Sequence, residues 1–109
     1  MSSNPTPQRS LTIDHRLSDD GTPTLVCRGR INLENASLFR SEVKGLTSKH
    51  KVVLADLSGV DAVDSSGLGS ILGTYVSAKS DGCELKLINV NPRVKDLLNI
   101  TRLDSVFGN

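Results

Sequence analysis

Aromatic residues are nearly missing from this 109-residue chain: Phe39, Tyr75 and Phe107 are the whole set, and there is no tryptophan. That scarcity excludes a platform that stacks the bases of single-stranded nucleic acid and implies an aliphatic core. An excess of one charge is also missing. Lys and Arg number 13 against 12 Asp and Glu, a net +1, so there is no basic footprint for nucleic acid. The two cysteines, Cys27 and Cys83, make neither a disulfide framework nor a metal-ligand spacing. Both fall in strand-like segments, where a buried, unreactive thiol is expected. No apolar run approaches the roughly 20 residues that a membrane span needs. The start, Met-Ser-Ser-Asn-Pro-Thr-Pro-Gln, holds no apolar signal segment. A soluble, cytoplasmic protein with no membrane association is expected.

What is present is a globular mix, 37% hydrophobic and 23% charged. A single domain of this length buries about two thirds of its unfolded surface. Residues 1–9 read as a flexible, polar leader and residues 10–109 as one domain. Leu11, Ile13, His15 and Leu17 alternate with polar neighbours, as in a strand covered on one face. Turn residues Ser18 to Pro23 follow, and Thr24 to Ile31 reads as a second strand, completing a hairpin. Asn32 is a good helix cap, and Leu33, Ala36, Phe39, Val43 and Leu46 then recur at helical spacing. Val52 to Leu57 is a nearly continuous apolar run that suits a central parallel strand covered on both faces. Ser58 to Asp64 reads as a connection. Leu68, Ile71, Leu72, Tyr75 and Val76 form a second helical stripe. Glu84 to Val90 is a strand, and Asn91-Pro92 opens a short helix to about Asn99, with a last helical turn over Thr101 to Val106. The predicted order, β-β-α-β-α-β-α, is an α/β fold. It has a small mixed sheet, built from a hairpin and two parallel crossovers, with helices packed on it.

In such sheets, sites gather outside the carboxyl ends of strands. Here that is the segment from Asp56 to Gly69, Asp-Leu-Ser-Gly-Val-Asp-Ala-Val-Asp-Ser-Ser-Gly-Leu-Gly. Ser65 falls at the expected helix start, where a phosphate would meet unbonded N–H groups and the positive end of the helix dipole. Serine is equally a common N-cap, and both readings stand. Gly67, Gly69 and Gly73 each cost the helix roughly 1 kcal/mol against alanine. With Ser66, Ser70, Thr74 and Ser77 they form a face of small side chains, which admits either a partner's backbone or an element of the same chain.

Enzyme readings find little support. Gly67-Leu-Gly-Ser-Ile-Leu-Gly73 is one residue off the dinucleotide fingerprint, and no Walker pattern exists. A serine nucleophile needs a base, yet His50 precedes the central strand and Ser65 follows it, about 20 Å away. Asp56, Asp61 and Asp64 are the one candidate set for a magnesium ion, although the last two also suit loop and first-turn positions.

The stretch from Asp56 to Gly69 resembles the signature of STAS domains, and more closely that of the anti-sigma factor antagonists. The resemblance runs from Leu11 to Val106 and includes Gly29-Arg-Ile31 and Val90-Asn-Pro92. It implies a regulatory switch rather than an enzyme, with no cofactor. The unmodified protein would bind an anti-sigma factor that is also a serine kinase, freeing the sigma factor. The kinase would phosphorylate the serine after the aspartate, here Ser65, and a metal-dependent serine phosphatase would reset it. Ser66 matches a minor acceptor. The partner surface would comprise Asn32, Asp61, Asp64, Ser66, Gly67, Gly69, Ser70 and Gly73. This chain has Asn32 where many members carry aspartate, and it ends soon after Phe107. A STAS scaffold or an accessory subunit of a signalling or transport assembly is the alternative.

Overall fold

The computed structural model describes residues 11–103 and 105–107. Its elements are β1 (Leu11–Leu17), β2 (Pro23–Ile31), α1 (Ala36–Thr47), β3 (Val52–Val63), α2 (Ser65–Ser80), β4 (Glu84–Ile88) and α3 (Pro92–Ile100), in the predicted order. The sheet runs β1-β2-β3-β4, with β1 antiparallel to β2 and the other neighbours parallel. The hairpin closes through a turn in which Ser18 N–H donates to Thr22 O at 2.9 Å, and Gly21 takes φ +86°. That is a left-handed conformation natural to glycine.

Residues paired across a sheet share a face. Leu25, Ala55 and Leu87 are aligned, as are Val53 and Leu85, and all are buried with Cys27 and Leu57. The helices cover this face, joining Phe39 and Val43 of α1, Ile71 and Ala78 of α2, and Val94 and Leu98 of α3 into one cluster. Phe107 packs edge-on against Tyr75, ring centres 5.1 Å apart. Cys27 is fully buried, and burial, with the Asp56 charge adding, pushes its thiol pKa up to about 12.

Four expectations need correction. The apolar run Val52–Leu57 suggested cover on both faces, but Val52, Leu54 and Asp56 are only half-buried. Ser58–Val63 is strand, not connection: β3 continues and pairs with Arg28–Ile31 of β2 across two register shifts. Pairing to a neighbour, not apolar content, extends it. In α2, the core face is Gly67, Ile71, Thr74 and Ala78, about one residue round from the expected stripe. Leu68, Leu72 and Tyr75 are half-buried, and Val76 is 56% exposed. Finally, the described residues of the expected last helical turn form no helix: Thr101, Arg102, Ser105 and Val106 lie in turns, with the Val106 and Phe107 N–H groups donating to Leu103 O.

The two crossover helices are tied at their far ends. Lys44 Nζ donates to Asp81 Oδ2 and to Ser77 Oγ, each at 2.7 Å, and Thr47 Oγ1 donates to Asp81 Oδ2 at 2.8 Å. These bonds run α1 alongside α2 and bring the starts of both helices to one end of the domain.

Candidate functional site

At that end, β2 and β3 finish side by side, with Ile31 opposite Val63. The chain leaving β3 turns directly into α2. Asp64, not Ser65, caps the helix: its Oδ1 accepts the Gly67 N–H at 2.7 Å, and its carbonyl accepts the Leu68 N–H at 2.8 Å. Ser65 is therefore the first helical residue. It is exposed, and its hydroxyl has no hydrogen-bond partner among the described residues. The capping reading of Ser65 is overturned, and the dipole field at the helix start acts on a hydroxyl that has no structural task. Ser66 beside it is exposed as well.

Asn32 does not begin α1, whose first residue is Ala36. Instead, Asn32 and Asn35 form a reciprocal box. Asn32 Oδ1 accepts from Asn35 N at 3.2 Å and Glu34 N at 3.0 Å, while Asn35 Oδ1 accepts from Asn32 N at 2.9 Å. This is capping-box geometry with asparagine at both positions, and it shapes a turn ahead of the helix. Leu33, expected on the buried stripe, lies on that turn and is 75% exposed. Sequence reasoning missed it as a surface residue. The signal was Asn35, a turn-forming residue inside the expected first helical turn.

The three glycines separate into two kinds. Gly67 is buried against Ile31, whose carbonyl oxygen would lie 2.2 Å from an added Cβ. Gly67 therefore serves packing within the chain. Gly69 and Gly73 are exposed, and an added Cβ on either meets nothing within 4 Å. Ser70 turns to the neighbouring helix, its Oγ donating to Ala36 O at 3.2 Å, and Thr74, expected on the outer face, is fully buried. The outward ridge is thus Ser65, Ser66, Gly69, Gly73 and Val76.

The aspartates do not converge. Asp61 is exposed near the end of β3, and Asp64 is engaged as a cap. Asp56 lies mid-strand, accepting from Ser58 N at 2.9 Å and Asn89 Nδ2 at 3.1 Å. Burial alone would raise its pKa, but the bonds from Ser58 and Asn89, with the Arg16 charge, hold it below the usual carboxylate value. No group of three or more His, Cys, Asp or Glu that could hold a metal occurs among the described residues. His15 pairs with Glu42, and His50 lies before β3, at the opposite end of that strand from Ser65. No helix among the described residues is long and apolar enough to cross a membrane.

Comparison with known proteins agrees with this architecture. The STAS domain family model matches residues 17–109. The anti-sigma-B factor antagonist of Bacillus subtilis (strain 168) is 32% identical over 78 residues, covering 72% of each chain. Among solved structures, an anti-sigma factor antagonist from Mycobacterium paratuberculosis superposes with a TM-score of 0.78 at 21% identity, covering 94% of this chain and 86% of that one. SpoIIAA of Bacillus, solved in both forms, has the same fold. The unphosphorylated form gives a TM-score of 0.68 at 16% identity, covering 84% of this chain and 82% of that one. The phosphorylated form gives 0.66 at 14%, covering 86% of each. The fold is thus shared with these structures, and with the family model and the Bacillus subtilis relative the likeness extends to sequence: the chain is a STAS-domain protein of the anti-sigma factor antagonist family.

Proposed function

We propose that this protein, unphosphorylated, binds an anti-sigma factor that is a serine kinase and so releases a sigma factor, and that phosphorylation of Ser65 ends the binding. The observation that carries the reading is the division of labour at the start of α2. Asp64 supplies the cap, leaving the Ser65 hydroxyl exposed and unbonded at the positive end of a 16-residue helix. A phosphoryl group there would be held by local N–H groups without disturbing the core. The bare ridge of Gly69 and Gly73 supports close approach of a partner's backbone to Ser65. No base stands beside the hydroxyl among the described residues, so the kinase would supply activation and the magnesium ion, as phosphoryl transfer requires. A metal-dependent serine phosphatase would reverse the modification. The protein itself acts as a cytoplasmic regulatory subunit, not as an enzyme.

The test is incubation with the purified kinase and ATP, followed by peptide mass spectrometry. Modification is expected at Ser65 and lost in Ser65→Ala. Undiminished modification of that variant would sink the assignment.

A further inference from the structure

Among the described residues, β1 has one neighbour: β2 pairs with it on one side, and nothing pairs with the other. Which backbone groups face the open side follows from the hairpin. Leu17 stands opposite Pro23, which has no N–H, and the adjoining pair is closed by the Ser18 N–H to Thr22 O bond. Bonded and non-bonded pairs alternate along an antiparallel ladder, and the β1–β2 register runs without a shift. Thr12, Asp14 and Arg16 therefore bond to β2, and the N–H and C=O groups of Ile13, His15 and Leu17 point away from the sheet.

This edge is complementary to itself in a single register. When two β1 strands lie antiparallel, their outward groups meet only if odd-numbered residues stand opposite odd-numbered ones. A pair centred on Asp14 sets that carboxylate against its own copy, and a pair centred on Arg16 does the same to the guanidinium. Centred on Ile13, Asp14 meets Thr12 and Leu17 meets no strand residue. Centred on His15, Asp14 stands opposite Arg16 of the second copy, twice by symmetry, on the sheet face away from the helices. Opposite charges placed directly across a ladder stabilise it. Asp14 already accepts from Arg28 at 2.8 Å, but an ionised carboxylate has about four acceptor positions and can take a second guanidinium. On the helix face the same register puts Ile13 opposite Leu17. Leu17 lines a groove of about 460 Å³ with His15, Arg16, Pro23, Leu46 and His50, so Ile13 of the second copy arrives beside apolar surface. The His15 ring is turned to Glu42 of its own chain and leaves the centre clear. The other edge, β4, offers less: its Leu85 and Leu87 are already buried in the core of the chain.

From this pattern we infer that two copies of the chain pair antiparallel through β1, centred on His15, and extend the sheet across a twofold axis. About six backbone hydrogen bonds join the strands, from the His15 pair and the two Ile13–Leu17 pairs. The contact is isologous, the same patch on both copies. One strand from each copy makes a small interface, in the class of weak and transient contacts, so association depends on concentration. The inference stands independently of the kinase reading.

Charge exchange in the full chain tests the register. Sedimentation equilibrium of the wild type is expected to show a dimer forming between micromolar and millimolar concentration. Asp14→Arg sets like charges opposite each other in a homodimer, and so does Arg16→Asp; each alone should weaken self-association at least about tenfold, because opposed like charges are costly at an interface. Mixed one to one, the two variants place Arg against Asp at both crossings and should associate with each other. Both side chains are exposed, so melting temperatures should hold within a few degrees. In the wild type, hydrogen exchange at the Ile13, His15 and Leu17 amides should slow as concentration rises, while the Thr12, Asp14 and Arg16 amides stay unchanged. A wild type that remains monomeric at millimolar concentration overturns the inference. A dimer undiminished by either single change lies elsewhere, the β4 edge included, and overturns it as well. Failure of the mixture to associate overturns the register. Slow exchange at the three outward amides at every concentration means that another segment of the same chain holds the edge, and also overturns it. Should either variant fail to fold, the wild-type exchange measurement decides alone.

Discussion

The carbonyl oxygen of Ile31 occupies the space in which a side chain on Gly67 would begin: an ideal Cβ there lies 2.2 Å from it. Neither atom belongs to a flexible side chain, so only backbone movement can relieve the contact. Gly67→Ala is expected to destabilise the fold by about 1–3 kcal/mol or more, as overpacking does. Gly69→Ala, two residues along with open space around it, should be neutral or stabilising by up to about 1 kcal/mol. Chemical denaturation of the two variants side by side measures the contrast.

Gly73 tests the use of the ridge. Because an added Cβ meets nothing within 4 Å, Gly73→Gln should raise the melting temperature through better helix propensity, worth a few tenths to about 1 kcal/mol. It should also hold a partner's backbone away, so that affinity for the kinase and phosphorylation of Ser65 fall together. Thermal unfolding and partner titration on the same variant check both halves. A raised melting temperature with unchanged binding would show an unused face.

Phosphorylation should act through charge and not through refolding. The group adds about −1.5 to −2 charge beside Asp64 and near Asp61. The kinase is then expected to bind the modified protein more weakly by at least about 1–3 kcal/mol, the usual scale of coupling between a modification and a partner. Calorimetry on both forms, paired with amide spectra, distinguishes this from a conformational change, which would shift resonances throughout the sheet.

Thr74 is fully buried, and its hydroxyl has no hydrogen-bond partner among the described residues. Leaving a buried polar group unpaired costs about 1–3 kcal/mol. Thr74→Val keeps the branched shape and removes the hydroxyl, so stability should rise by about 1 kcal/mol. Urea denaturation midpoints measure it.

Asp81 gives the fold an acid-sensitive tie. Hydrogen bonds from Lys44 and Thr47 hold its carboxyl below the usual aspartate value. A carboxyl depressed in the folded state stabilises fully above its unfolded pKa and loses that contribution as pH falls through the folded value. Wild-type protein should therefore be more stable than Asp81→Asn near neutral pH, with the gap closing as pH drops from about 4 downward. Melting temperatures of the pair across that range follow it.

Apolar periodicity is local, so it was enough to place the hairpin, the two crossovers, all three helices and their order. The Asp-Ser-Ser-Gly run after an apolar strand likewise pointed to the family. What periodicity cannot carry is the identity of the neighbour. Ser58 to Val63 lacks an apolar signature and became strand because β2 offers it hydrogen bonds across register shifts. The rotation of α2 by about one residue, which buries Thr74 and exposes Val76, depends on where α1 and the sheet meet it. Gly67, Gly69 and Gly73 are alike in sequence, and only the nearby Ile31 carbonyl makes the first a packing residue. Asp64 takes the cap from Ser65, and Leu33 leaves the core for the surface, because β2 and β3 end side by side. That meeting of two segments about thirty residues apart frees the Ser65 hydroxyl, and it exists only in the folded chain.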